Sequence, residues 1–270
     1  MRQGLVSSLF VYTIEQLAGL PRDAVAMSLG CANLVPVAAL KPGDKAIDLG
    51  CGGGIDCLLA DREMRGQGLV VGVDVLLPLL RRARQNARLA GARGIRFVVA
   101  DVRELPFPSG VFDVAFSNNA FNLLESRLPA LCEAYRVLRC GGRLVLADTV
   151  ATGRVARGDA KAELDAWAGL PTVEEYERLL PQAGFTALAF QLGPVQRQSG
   201  AVQARPLLVT GRKLPVGRRA PSGRGQGRPE LSLVGRRDTR PPGDSFGSHS
   251  EAREFGPPSR SSSGSSVPQG

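Results

Sequence analysis

From Lys41 to Val150 the chain alternates apolar runs with helix-patterned segments, and this alternation limits the fold more than any other feature. KAIDLG, GLVVGVD, IRFVVAD, VFDVAFS and GRLVLADTV read as five strands rich in Val and Ile. Between them, IDCLLADREM, LLPLLRRARQNARLAG and RLPALCEAYRVLR read as helices with apolar faces. Each crossover lays its helix back on the strands it joins, so the pattern predicts an α/β fold: a mostly parallel sheet with helices on both faces. AKAELDAWAG and TVEEYERLLPQAG continue as helices, the second with Thr172 as cap and Glu175 at capping-box spacing. FTALAFQLG and AVQARPLLVTG then close the sheet as a hairpin.

Composition divides the chain into three parts. Residues 1–40 form a helical lead-in, with TIEQLAGL and SLGCANLVPVAAL as its helical segments, and 41–211 form the α/β domain. Residues 212–270 are rich in Arg, Pro, Gly and Ser and cannot bury enough apolar surface to offset ordering, so this tail is expected to be disordered. The tail holds 11 of the 34 Lys/Arg and 5 of the 25 Asp/Glu, leaving 1–211 nearly balanced despite a net charge of +9. A nucleic-acid groove needs clustered charge on a formed surface, so nucleic acid is not expected as a partner. No apolar run approaches the roughly 18 residues of a membrane span. MRQGLVSSLFVYTIEQL has one Arg and no acid before Glu15 but lacks a clear cleavage pattern, so a cytoplasmic protein without membrane attachment is expected.

The single histidine, His249, lies in the tail, which excludes His-dependent hydrolases and His-ligated zinc. The five cysteines are Cys31, Cys51, Cys57, Cys132 and Cys140, an odd set expected to be reduced. The strongest motif is AIDLGCGGGID, a strand ending near Asp48 followed by Gly50, Gly52 and Gly54 at the start of a helix. Such glycines let the backbone turn tightly and approach a ligand, and the helix N-terminus offers free N–H groups; a merely tight turn is the competing reading. Asp74 ends the second strand, where an acid can accept from ribose hydroxyls, and Asp101 ends the third, where a carboxylate can accept from an adenine amino group. Each of these acids could alone be a helix cap, but three at successive strand ends point to a nucleoside ligand.

On DLGCGGG, Asp74, Asp101 and RCGGRLVLAD, residues 43–148 resemble a class I S-adenosylmethionine-dependent methyltransferase, with Cys140 where a Pro is common. The resemblance implies a Rossmann-like seven-stranded sheet and S-adenosyl-L-methionine as cofactor. It implies cofactor contacts from Asp48, Gly50, Gly52, Gly54, Asp74, Asp101, Val102 and Ser117, with Arg103 also beside the adenine. YTIEQLAGLP, SLGCANLVPVAALKPGD, DLGCGGGIDC, VGVD, SNNAFNL, EAYRVLRCGGRLVLAD and ELDAWAG, over about residues 12–192, further resemble the arsenite methyltransferases. That family holds As(III) on cysteine thiolates, soft ligands suited to it. The resemblance implies Cys31 as a metalloid-binding and catalytic thiol. It puts Asn119 in a second catalytic position, since the family reads SNCVINL where this chain reads SNNAFNL. A third family cysteine, after AWAG at 166–169, has no counterpart here.

The implied reaction is methyl transfer to arsenite or another small soft or organic nucleophile, with a small thiol reductant as auxiliary. Methyl transfer needs an aligned acceptor and excluded water more than acid–base groups, so a chain without a catalytic histidine can perform it. Asn118 and Asn119 could orient a substrate or cap their loop. The remaining cysteines read as packing residues, although Cys51 and Cys57 lie at the glycine turn. The alternative is a non-catalytic S-adenosylmethionine-binding or interaction protein that uses the basic tail.

Overall fold

A computed structural model describes residues 12–153, 169–199, 202–214 and 231–233, all within one unit, Met1–Gly235. The expected helix AKAELDAWAG, except Gly169, lies outside the described residues, as do His249 and most of the tail.

The parallel part of the sheet is built from β1 (Lys45–Leu49), β2 (Leu69–Asp74), β3 (Ile95–Val99), β4 (Phe112–Asn118) and β5 (Leu138–Thr152). β6 (Thr186–Leu192), β7 (Arg197–Ser199), β8 (Val202–Arg212) and β9 (Leu231–Leu233) follow. The strand order is β3-β2-β1-β4-β5-β8-β6-β9, with β7 on β8. β1 pairs in parallel with β2 and β4, and β8 runs antiparallel between β5 and β6. The expected seven strands are thus present, including the closing antiparallel pair, and two three-residue strands are added. β8 ends at Arg212, and Leu231–Leu233 pairs in parallel with β6.

Alternation along the strands divides the core into two layers. Ile47, Leu49, Leu144 and Leu146 face α6 (Leu128–Val137) and α7 (Val173–Gln182), whose Leu131, Tyr176 and Leu180 fill that side. Ala46, Val70, Phe116 and Val145 face α4 (Ile55–Glu63) and α5 (Leu77–Leu89) through Leu58, Leu59 and Leu80. The inner strands are buried on both faces, which is why they read as continuous apolar runs rather than alternating ones.

The lead-in folds as α1 (Ile14–Leu17), α2 (Arg22–Ala26) and α3 (Val35–Ala38) on the second layer. Thr13 and Gln16 form a reciprocal capping box on α1. The helix expected over SLGCANLVPVAAL shrinks to α3. The N–H groups of Cys31 and Ala32 donate to the side chain of Asn118 instead of to carbonyls one turn back. At α7, Thr172 accepts from the Glu175 N–H as expected, but the Glu175 carboxylate turns to Arg127 at 3.0 Å and leaves the capping box half made.

Candidate functional site

A cleft of about 390 Å³ opens at the C-terminal ends of β1, β2 and β4 and beside the loop after β3, where ligands of open α/β sheets bind. Of the residues expected at a site, Asp48, Gly50, Gly52, Asp74, Asp101, Val102 and Asn119 line it, with Arg103 beside them. Gly54, Ser117 and Cys31 do not line it. Gly54 is the N-cap of α4 at φ +83°, where a Cβ would press on Ala83 and Phe97. The Ser117 hydroxyl is fully buried and donates to the Leu49 carbonyl at 2.7 Å, tying β4 to the end of β1.

The glycine turn is held open by geometry and by one acid. Gly50 has φ +83°, and a Cβ there would collide with that of Ala120 on the opposite wall. Gly52 has φ +51° and open space where a Cβ would stand, which leaves the backbone accessible to a ligand. Asp74 accepts from the Gly52 N–H at 3.0 Å and from the Leu76 N–H at 2.9 Å, so its carboxylate fixes the turn while facing the cleft. Asp101 is bound by the Arg103 side chain at 2.6 Å and by its backbone N–H at 2.8 Å, and this pairing holds its carboxyl below the usual range.

Two acids lie deeper. Burial, with Asp56 close by, pushes Asp48 well above the usual carboxylate range, and the Cys57 thiol donates to it at 3.2 Å. Burial raises Asp56 to about 6, although Asn118 at 3.0 Å and Tyr12 at 2.8 Å donate to it and oppose the shift. Sequence reasoning missed Tyr12 and Asp56 as site residues. Asp56 stood in the quoted GGGID run as an acid in the first helical turn, but nothing in the sequence indicated a tyrosine 44 residues upstream as its partner.

The side of the cleft at β4 and β5 is differently made. Asn119 adopts φ +58°, and its amide donates to the Leu29 carbonyl at 2.9 Å. Its oxygen accepts from Asn122 at 2.9 Å and from the Thr149 hydroxyl and N–H at 2.9 and 3.1 Å. The Asn119 side chain thus joins its own loop to Leu29 and to β5 while lining the cleft. Cys31 is 6% exposed, and burial together with Asp148 raises its thiol well above the ordinary value. The expected metalloid thiol thus lies outside the residues that line the cleft. Among the described residues no group of three or more His, Cys, Asp or Glu is arranged to hold a metal ion. Asp148 is itself buried against the Tyr176 hydroxyl, and burial pushes it up to about 7.

The strand order and a glycine turn facing strand-end acids define a Rossmann-like class I methyltransferase fold. A methyltransferase-domain model matches residues 40–184, and the chain belongs to this methyltransferase family. An arsenite methyltransferase of Halobacterium salinarum is 34% identical over 170 residues, 62% of this chain and 43% of the relative. An arsenite methyltransferase of Aquipseudomonas alcaligenes is 32% identical over 167 residues, 58% of this chain and 48% of the relative. The chain therefore spans about half the length of these curated relatives. The crystal structure of an arsenic(III) S-adenosylmethionine methyltransferase from Chlamydomonas reinhardtii superposes with a TM-score of 0.65 at 26% identity, covering 75% of this chain and 73% of that one.

Proposed function

We propose that the protein is an S-adenosyl-L-methionine-dependent methyltransferase acting on a small acceptor, either arsenite or another soft or organic nucleophile. The observation that carries this reading is the cleft itself, in which the open Gly52 backbone, Asp74 and Asp101 converge at strand ends. The residues fit the cofactor. Gly50 and Gly52 give its methionine part backbone to lie on, Asp74 accepts from ribose hydroxyls, and Asp101 with Val102 and Arg103 borders the adenine. When bound, the cofactor supplies a methyl group activated by its sulfonium.

The chain's part is alignment and exclusion of water. Asn118 holds the lead-in over the cleft by accepting from Cys31 and donating to Asp56 and the Ala32 carbonyl. Asn119 is a positioning residue that joins Leu29 to β5. Arsenite is supported by the relatives, with Cys31 and a small thiol reductant as its thiol sources. The organic acceptor is favoured by the cleft wall, where Leu29 and Leu123 are 69% and 80% exposed. A non-catalytic binding protein is not favoured, because the methyltransferase-domain match and the arsenite methyltransferase relatives support an enzyme. No helix among the described residues is long and apolar enough to cross a membrane, and all five cysteines are free, in keeping with a reducing cytoplasm.

The test is calorimetric titration with S-adenosylmethionine, then incubation with arsenite under reducing conditions and mass spectrometry for methylated arsenic. Binding with methylarsenic product establishes the arsenite reading. Binding without product moves the acceptor to an organic nucleophile, and absence of binding overturns the cofactor assignment.

A further inference from the structure

Two thiols lie together beneath the glycine turn and have no part in the mechanism above. Cys51 belongs to the turn and lines the cleft, whereas Cys57 is fully buried in the first turn of α4. Their side chains are in mutual contact. Both sulfurs crowd the same point over β2: a Cβ on Gly72 would lie 2.8 Å from one and 2.9 Å from the other. Glycine at 72 thus leaves room for a sulfur pair. The Cys57 sulfur also donates to the buried carboxylate of Asp48 at 3.2 Å. A dithiol with a carboxylate at hand, one of its two residues lining the cleft, suits a reagent that takes two soft ligands at once.

We propose that Cys51 and Cys57 form a bidentate site for trivalent arsenicals, separate from the position of Cys31, and that occupying it closes the cofactor cleft. The chemistry is substitution without redox change. A hydrated organoarsenical R–As(OH)2 loses two As–O bonds and gains two As–S bonds, and the two thiol protons leave with the hydroxides as two waters. Cys51, reached through the cleft, attacks first, and Cys57 closes the chelate with Asp48 placed to accept its proton. The third bond of arsenic stays with carbon, so no third protein ligand is required. The organic group carried on arsenic at Cys51 then competes with the cofactor for the space beside Gly50 and Gly52, which line the same cleft.

The test uses phenylarsine oxide on the reduced full chain, followed by denaturation, alkylation of unprotected thiols and proteolysis. Both cysteines fall in one tryptic peptide, residues 46–62, so their protection is read together. One arsenical per chain is expected, with Cys51 and Cys57 protected, Cys31, Cys132 and Cys140 alkylated, and full reversal by a small dithiol. C57S, which keeps a hydroxyl donor for Asp48, and C51S lose the adduct, whereas C31S retains it. The adduct weakens S-adenosylmethionine binding at least about tenfold by calorimetry. Protection of Cys31 or the surface cysteines instead, or an adduct that survives in C57S, overturns the site. Unchanged cofactor affinity in the adduct overturns the closure. A chain that never binds S-adenosylmethionine refutes the proposed function while the thiol map still decides the site.

Discussion

The two halves of the cleft use polar residues in opposite ways. At the ends of β1 and β2, Gly52 and Asp74 are placed by the backbone yet still face the opening, so a ligand meets groups with capacity to spare. At the ends of β4 and β5, Asn118 and Asn119 are engaged by the protein: Asn118 binds Cys31, Ala32, Asp56 and Tyr12, and Asn119 binds Leu29, Asn122 and Thr149. One half keeps its chemistry available and the other has turned polar side chains into fasteners for the lead-in. On the proposed function the first is the donor half, open to the polar groups of the cofactor, and the second the acceptor half, offering shape and the exposed Leu29 and Leu123.

The largest effect expected from breaking this contrast is at Gly50. Gly50→Ala forces a Cβ against Ala120 in left-handed backbone, and strain with overpacking costs about 2–4 kcal/mol, read from denaturant unfolding. S-adenosylmethionine binding falls below calorimetric detection in the same variant. If Gly50→Ala binds normally, the turn is not the cofactor's platform.

Asn118→Ala comes next. It strands the N–H groups of Cys31 and Ala32 and removes a donor from Asp56, so it destabilises the chain by about 2–3 kcal/mol. Limited proteolysis then cuts near residues 28–34 first. Uniform resistance across that segment would show that Asn118 is not the fastener.

Asp74→Asn sharpens the other half, because the amide still accepts from Gly52 or Leu76 but loses its charge. Unfolding stability changes by less than about 1 kcal/mol, while cofactor affinity drops about tenfold to hundredfold. Equal losses in both readouts would make Asp74 a structural cap only.

A pH series tests the buried acids. Asp48, Asp56 and Asp148 have folded pKa values raised above those of the unfolded chain, the last two to about 6 and about 7. The folded state then holds more protons than the unfolded state between pH 4 and 7. Stability is greatest at the acid end of that window and falls as pH rises, by about 1.4 kcal/mol per pH unit for each group while it is fully differential. Asp148→Asn removes its share and flattens the decline of the melting temperature. A melting temperature that rises from pH 5 to 7 would contradict the assignment.

The smallest effect is expected from Asn119→Cys, which returns a thiol to the family's position. Loss of the amide contacts and left-handed backbone lower stability by about 1–2 kcal/mol, and methylarsenic formation stays at the unmodified level. A gain in product would mean that the acceptor half lacks only a thiol.

The sequence by itself determined the succession of strands and helices and the glycine turn at the proposed donor half. Continuous apolar strand runs, helices between them and glycines before α4 are local patterns, and local patterns dictate which backbone forms and which end of a strand a ligand meets. Asp74 and Asp101 were legible for the same reason, since each stands at the end of a recognisable strand. Tertiary structure alone decided the rest. Cys31 is buried, and its own N–H donates to Asn118, 87 residues away. Tyr12 meets Asp56 across 44 residues, Cys51 meets Cys57 over Gly72, and Asn119 spends its amide on Leu29 and Thr149. Contacts over such separations depend on how layers pack, and a one-dimensional pattern carries no record of which side chains that packing brings within 3 Å.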